Sequence, residues 1–233
     1  MTTPPQTHRV DEIAFTVAYS ERRTASLFVE RDGSIHLIAP QNLPITRIED
    51  IIREKKRWIF RSLAEWEDLN ASRQHREFVS GEGFLYLGRT YRLRVCDSIL
   101  PALVLKDGYF LIRPESLKRA DKAFETFFTH KGKKRLTERV RGFAPKVGVE
   151  PPDVRVFDLG YRWGSCTPEG NLNFHWKTMM APLSAIDYIV VHELVHLLHP
   201  NHSDAFWNEV DKILPDYERR RDWLRLNGAS LDF

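Results

Sequence analysis

His192-Glu193-Leu194-Val195-His196 sets two imidazoles four residues apart with a carboxylate between them, and His202 follows. On a helix, positions four apart share one face, a turn apart, so both rings can hold one metal ion. Glu193 is then placed to reach a water on that ion. His202, just past the helix, supplies a third ligand and leaves one position open. Zinc suits such a set, because three imidazoles and an open corner let it make hydroxide near neutral pH. The expected chemistry is hydrolysis of a peptide or other amide. Glu193 accepts the proton of the water, orients its attack on the carbonyl carbon and passes the proton to the leaving amine, while the ion polarises the carbonyl oxygen.

The third ligand has rivals. His202 stands ten residues after His192, the interval of the metzincin proteases, but His199 occupies the place of their glycine and no Met follows Met180. A gluzincin plan would instead take Glu209 or Glu218 from a later helix. His199 reads better as an outer supporting group or an exposed one. A second donor for a developing oxyanion is expected among Tyr161, Arg162, His175 and Tyr217. Cys166 reads as a small buried side chain on a strand rather than a nucleophile or a ligand.

These residues need a rigid support. Ile186, Ile189, Val190, Val191, Leu194, Val195, Leu197 and Leu198 make the motif helix apolar nearly all round, so it is expected to be buried. Two His and a Glu in such a helix are costly unless each is satisfied, and a metal satisfies all three. Ser184 with Asp187 reads as a capping box. Pro200 disfavours helix at His199, which ends the helix near Leu198 and turns the chain back towards the ion. Ser203 is a candidate cap for the next helix, with Phe206, Trp207 and Val210 on its core face, and Pro215 opens a last one ending at Asn227-Gly228. Before the motif, Tyr161 to Cys166 and Asn171 to Trp176 read as strands around a Pro-Gly turn. The second of them is either an edge for an extended peptide or a plain hairpin strand.

Upstream, 11–40 reads as strands, with Asp32-Gly33 a hairpin signal, and a helix follows Pro44 to about Asn70. Meander-like strands fill 84–112, and a helical pattern runs from about Ser116 to Val147. Within it Lys131-Gly132-Lys133-Lys134-Arg135 is a solvated face or a break at Gly132, or else a patch for an acidic partner. No internal repeat is visible. The expected organisation is a disordered tail at 1–10, a β-rich region at 11–115 with one long helix, and a zinc peptidase domain at 116–233. The fold class is α+β, a β-rich lobe plus a metal lobe with a small sheet and an active-site helix.

The 233 residues are 42% hydrophobic, enough for a substantial core. With 35 basic and 32 acidic side chains the net charge is +3, too balanced to demand nucleic acid or membrane as partner. Two cysteines are too few for a disulfide framework. The N-terminus lacks the apolar stretch of a signal peptide, and no run is long enough to span a membrane. A cytoplasmic location is expected.

Arg162-Trp163-Gly164-Ser165-Cys166, then Asn171-Leu172-Asn173, then Asp187 to His196, then Asn201-His202-Ser203 with Phe206-Trp207, resemble the YgjP-like metallopeptidase family, a relative of the SprT-like zinc proteases. The resemblance extends forward through Leu214-Pro215-Asp216-Tyr217. More weakly it extends back to Tyr86-Leu87-Gly88-Arg89 and Trp58-Ile59. It implies zinc held by His192, His196 and His202, with Glu193 catalytic, and so favours His202 over the later glutamates. It implies no particular substrate, and no DNA-binding module is visible. The competing functions are a zinc hydrolase of a non-peptide amide and a non-enzymatic module in which zinc pins the fold. Glu193 argues against the last, because a structural site has no use for a carboxylate beside an open position.

Overall fold

Strict alternation of apolar residues makes the first sheet. The computed structural model describes residues 6–30, 32–70, 76–97, 101–150, 152–160 and 162–233. In it β1 (Gln6–Val10), β2 (Ile13–Ser20), β3 (Ser26–Val29) and β4 (Ile35–Pro40) form a sheet of order β1-β2-β4-β3. Ile13, Phe15 and Val17 share a face with Ile35, Leu37 and Ala39. Helix α1 (Ile45–Asn70) buries Ile48, Ile52 and Ile59 in the same cluster. Residues 6–10 are therefore not a disordered tail. Val10 is buried and pairs with Ile13 across a tight turn, which draws the segment into the sheet. Residues 1–5 lie outside the described residues.

The chain divides into two compact units, Met1–Arg73 and Gln74–Phe233. The division falls well before the expected boundary at 115, because the second run of strands shares its core with the motif helix. That run is β5 (Gly83–Tyr86), β6 (Arg89–Val95), β7 (Leu103–Lys106) and β8 (Tyr109–Ile112). Phe84 and Phe110 lie 4.5 and 5.1 Å, ring to ring, from Phe124 of α2 (Ala120–Val147). The order β5-β6-β8-β7, with β6 and β8 parallel, is not a meander. It is the topology of the first sheet over again, and each sheet leads into a long helix. The chain thus repeats a four-strand-plus-helix plan that its sequence does not display.

Helix α2 is the axis of the second unit. Gly132 does not break it. A Cβ there would stand 3.2 Å from Met179 and 3.3 Å from Val156, so the absent side chain lets α2 press onto the elements beside it. Those are β9 (Val154–Phe157) and a 3-10 turn at Trp176–Met180. The second small sheet has order β10-β11-β9, with β10 (Gly164–Cys166) antiparallel and β9 parallel to β11 (Leu172–His175). The expected hairpin is present, but its edge is β10. The candidate edge, β11, instead lies in the middle and is buried along its whole length, the plain hairpin strand of the two readings.

Helix α3 (Leu183–Val195) carries the motif, followed by α4 (Asp204–Ile213) and α5 (Tyr217–Asn227). As expected, α3 is buried nearly all round. Its cap differs from expectation. Pro182 is the N-cap, so Ser184 lies inside the helix and Asp187 is free for other work. Asp187 accepts two hydrogen bonds from Arg139 of α2, at 2.6 Å to Oδ1 and 2.5 Å to Oδ2, and Arg220 of α5 stands 4.0 Å away. One carboxylate thereby ties three helices. The turn Leu87-Gly88 docks on the 3-10 turn that leads into α3: their amides donate to the carbonyls of Met179 and Met180 at 2.8 and 3.0 Å.

Removing the carboxylate leaves Arg139 half-buried and unmatched. Asp187→Ala should therefore lower unfolding stability by about 2–3 kcal/mol. Denaturant titration checks this, and a loss under about 0.5 kcal/mol, the scale of ordinary surface changes, would contradict it.

Candidate metal centre

Helix periodicity places His192 and His196 on one face, and the chain reversal at Pro200 returns His202 to them. The Nε2 atoms of His192 and His202 are 3.0 Å apart, and one nitrogen from each of the three rings falls within 4.8 Å of the others. Two ligands at zinc distances on a tetrahedral ion stand about 3.3 Å apart, which the His192–His202 separation approaches. No other such group of His, Cys, Asp or Glu occurs among the described residues. Nδ1 of His196 is 3.1 Å from the His199 carbonyl, which takes its proton and leaves Nε2 for the cluster. His199 thus acts through its backbone. Glu209 pairs with Lys212 at 2.6 Å and Glu218 with Arg221 at 3.8 Å, so the structure brings neither rival ligand to the site.

The imidazoles are held neutral, as metal ligation requires. Burial, then the charges of His196 and His202, push His192 down to about 3. Burial also lowers His196 and His202. Phe206 packs against all three rings, its centroid 4.9, 4.7 and 4.8 Å from those of His192, His196 and His202. Trp207 stacks on His202 at 5.7 Å and on Tyr217 at 5.4 Å. Phe206 and Trp207 were legible as core residues and as part of the resemblance but not as a wall to the rings, because they pack rather than react.

Glu193 is 6% exposed, and burial pushes its carboxyl up to about 8, with Arg162 pulling the other way. Its position depends on β10. A Cβ at Gly164 would stand 2.7 Å from Glu193 Oε1 and 2.8 Å from its Cγ, so only glycine leaves room for the carboxylate. A cleft of about 700 Å³ opens beside it, lined by β10, the turn at Thr167-Pro168, Arg162 and the three imidazoles.

Of the oxyanion candidates, Arg162 lines this cleft. His175 is buried elsewhere, its Nδ1 accepting from the Lys177 amide at 3.0 Å and its Nε2 3.3 Å from Asp158. Tyr217 packs on Trp207 away from the lining, and Tyr161 lies outside the described residues. Cys166 lines the cleft, but burial and the neighbouring Glu193 push its thiol up, which keeps it protonated.

A carboxylate beside three neutral imidazoles, on a helix that faces a strand edge, suits a metal-dependent hydrolase. The sequence narrows that class. Residues 23–227 match the YgjP-like metallopeptidase domain, most of the chain, so this protein belongs to the YgjP-like metallopeptidases and is a peptidase that depends on a metal ion. No curated protein sequence matches it. Among solved structures, the crystal structure of the metallopeptidase zymogen of Pyrococcus abyssi abylysin is similar at 24% identity and a TM-score of 0.33, over 38% of this chain and 88% of that one. No helix among the described residues is long and apolar enough to cross a membrane.

Two predictions follow from the geometry of Glu193. Gly164→Ala displaces a carboxylate rather than a fold element. It should keep its melting temperature within a few degrees and retain metal, yet lose about 100-fold or more in kcat/KM, the scale of a 1 Å misplacement. Normal turnover would contradict this.

The second concerns the metal-free protein. Glu193 has its folded pKa raised, so its contribution to stability is full below about 4.5 and is lost as pH rises towards about 8. The depressed imidazoles run the other way, and their contribution grows through about 6.5 and is complete only well above it. Of the four groups, Glu193 alone loses stability between pH ~6.5 and ~8. Over that range chelator-stripped protein should lose about 2 kcal/mol relative to Glu193→Gln, which keeps the imidazole contribution and lacks the carboxyl. Equal pH slopes in denaturant melts of the two would refute it.

Proposed function

We propose that the chain is a zinc peptidase in which His192, His196 and His202 hold the ion and Glu193 moves the proton. The observation that carries this reading is the buried Glu193 carboxylate against Gly164, beside three neutral imidazoles, in a cleft that runs along a strand edge. His192, His196 and His202 would hold the zinc, which would supply Lewis acidity towards the substrate carbonyl and a water. Glu193 takes a proton from the attacking water and delivers it to the nitrogen of the leaving amine. Its raised proton affinity suits both halves of that transfer. Arg162, whose charge acts on Glu193, is placed to steady the carboxylate when it is ionised and to offer a donor to the developing oxyanion.

The substrate is read as a peptide or protein segment. The outer side of β10 is unpaired among the described residues, so an extended backbone can add to it and lay its carbonyl near the imidazoles. Cys96 and Cys166 are both free thiols, in keeping with a reducing, cytoplasmic setting.

The test separates ligand from base. Glu193→Gln should bind zinc with wild-type stoichiometry and lose at least about 100-fold in cleavage of an unfolded protein substrate. His202→Ala should lose zinc, and Glu209→Ala should keep it. Undiminished cleavage by Glu193→Gln would remove Glu193 from the chemistry. Full metal content in His202→Ala would remove His202 from the ligand set.

A further inference from the structure

Away from the cleft, and sharing no residue with it, a groove of about 890 Å³ runs between β7 and the first half of α2. Its floor is apolar: Ala102, Leu103 and Val104 on one side, Ala123 and Phe127 on the other. Its rim is cationic, with Lys118, Arg119, Lys122 and Lys131 against one acid, Glu115. Glu115 already faces Arg113 at 3.2 Å, and Lys122 faces Glu125 at 2.8 Å. Lys118, Arg119 and Lys131 have no carboxylate partner among the described residues. The groove thus joins an apolar floor to an uncompensated positive rim.

One wall is a free strand edge. Among the described residues β7 pairs only with β8, across the two-residue turn Asp107-Gly108, with Lys106 opposite Tyr109. In a two-residue hairpin the residues flanking the turn exchange both backbone hydrogen bonds, and the pattern alternates along the strand. Lys106, Val104 and Ala102 therefore turn their backbone groups to β8, as the 3.1 Å bond from the Arg113 amide to the Ala102 carbonyl bears out. Leu103 and Leu105 turn theirs outward. A strand laid on that edge gains backbone hydrogen bonds, rests aliphatic side chains on Leu103, Ala123 and Phe127, and sets carboxylates against the lysines and Arg119.

We propose that this groove is a second polypeptide site, which binds an extended acidic-aliphatic segment by strand addition to β7. It is separate from the catalytic cleft, and its occupant is held without being cut. Alternating charge fits because neighbouring side chains of a strand point to opposite faces, so one set meets the floor and the other the rim.

The test uses a fluorescein-labelled peptide of alternating glutamate and valine, about six residues long, the usual strand length. Fluorescence polarisation on the full-length Glu193→Gln protein avoids cleavage. Binding is expected with a Kd on the order of 10 µM, weakening roughly 10-fold in Lys118→Glu/Arg119→Glu. Lys118→Arg/Arg119→Lys should restore it, and melting curves confirm that both variants fold. N-methylation of alternate peptide amides should also cost about 10-fold, because it removes the strand bonds. Equal binding of a lysine-valine peptide, or no effect of the Glu variant, would overturn the proposal. Unaltered binding of the N-methylated peptide, with displacement by dodecanoate, would also overturn it, since the groove would then be a site for anionic amphiphiles. None of these readouts depends on peptidase activity, so failure here leaves the reading of the cleft untouched.

Discussion

A carboxylate has to be kept, uncrowded, on the most buried helix of the protein. Burial opposes its ionisation, and its neighbours are apolar side chains and a strand. The solution is a contact that admits no side chain on the strand: Gly164 against Glu193. From this contact the rest of the site follows. β10 must lie directly on α3, so the cleft must form along β10. β10 must then be the edge of its sheet, with β11 inside, if anything is to enter. The short loop from α3 to α4 carries His202 back to the same spot.

What holds that contact is spread through the second unit. α2 serves as the axis, with phenylalanines towards one sheet and Gly132 pressed on the other side. Asp187, from the middle of the motif helix, fixes α3 to α2 and α5 by charge rather than by packing. Phe206 closes the rings from below and keeps water from one side of them, which helps hold the imidazoles neutral. The site is therefore supported by a buried charge network on one side and an aromatic wall on the other.

The convergence of the three imidazoles on one spot, with Glu193 on the same helix, was legible in the sequence, since four-residue spacing on an apolar helix sets two rings on one face and Pro200 turns the chain back. The long helices and the positions of most strands also followed from period and punctuation. The misreadings share a cause. Asp187 looked like half of a capping box, because local spacing carries no sign of Arg139, 48 residues away. β11 could be read as an edge, because a hairpin does not say which of its strands pairs again, and β9 supplies that pairing from before it. Residues 6–10 looked unstructured because Gln6, Thr7, His8 and Arg9 are polar, although a pairing strand needs only its backbone. The duplicated sheet plan escaped notice because Leu87-Gly88 and Asp11-Glu12 link corresponding strand pairs with unlike residues. The importance of Gly164 was visible only as part of a resemblance. Its reason, the carboxylate at its α-carbon, is a long-range fact.

The docked turn has a mechanical meaning. Gly88 lies so near Pro182 that a Cβ would come within 2.8 Å of it, and Pro182 is where the motif helix begins. A helix advances about 1.5 Å per residue, so the first histidine sits some 15 Å up a stiff rod from that point. The hairpin is the rod's footing. A shift of its base would swing both rings and the carboxylate together while their mutual spacing stayed the same, and the strand edge opposite would see the whole triad slide out of line.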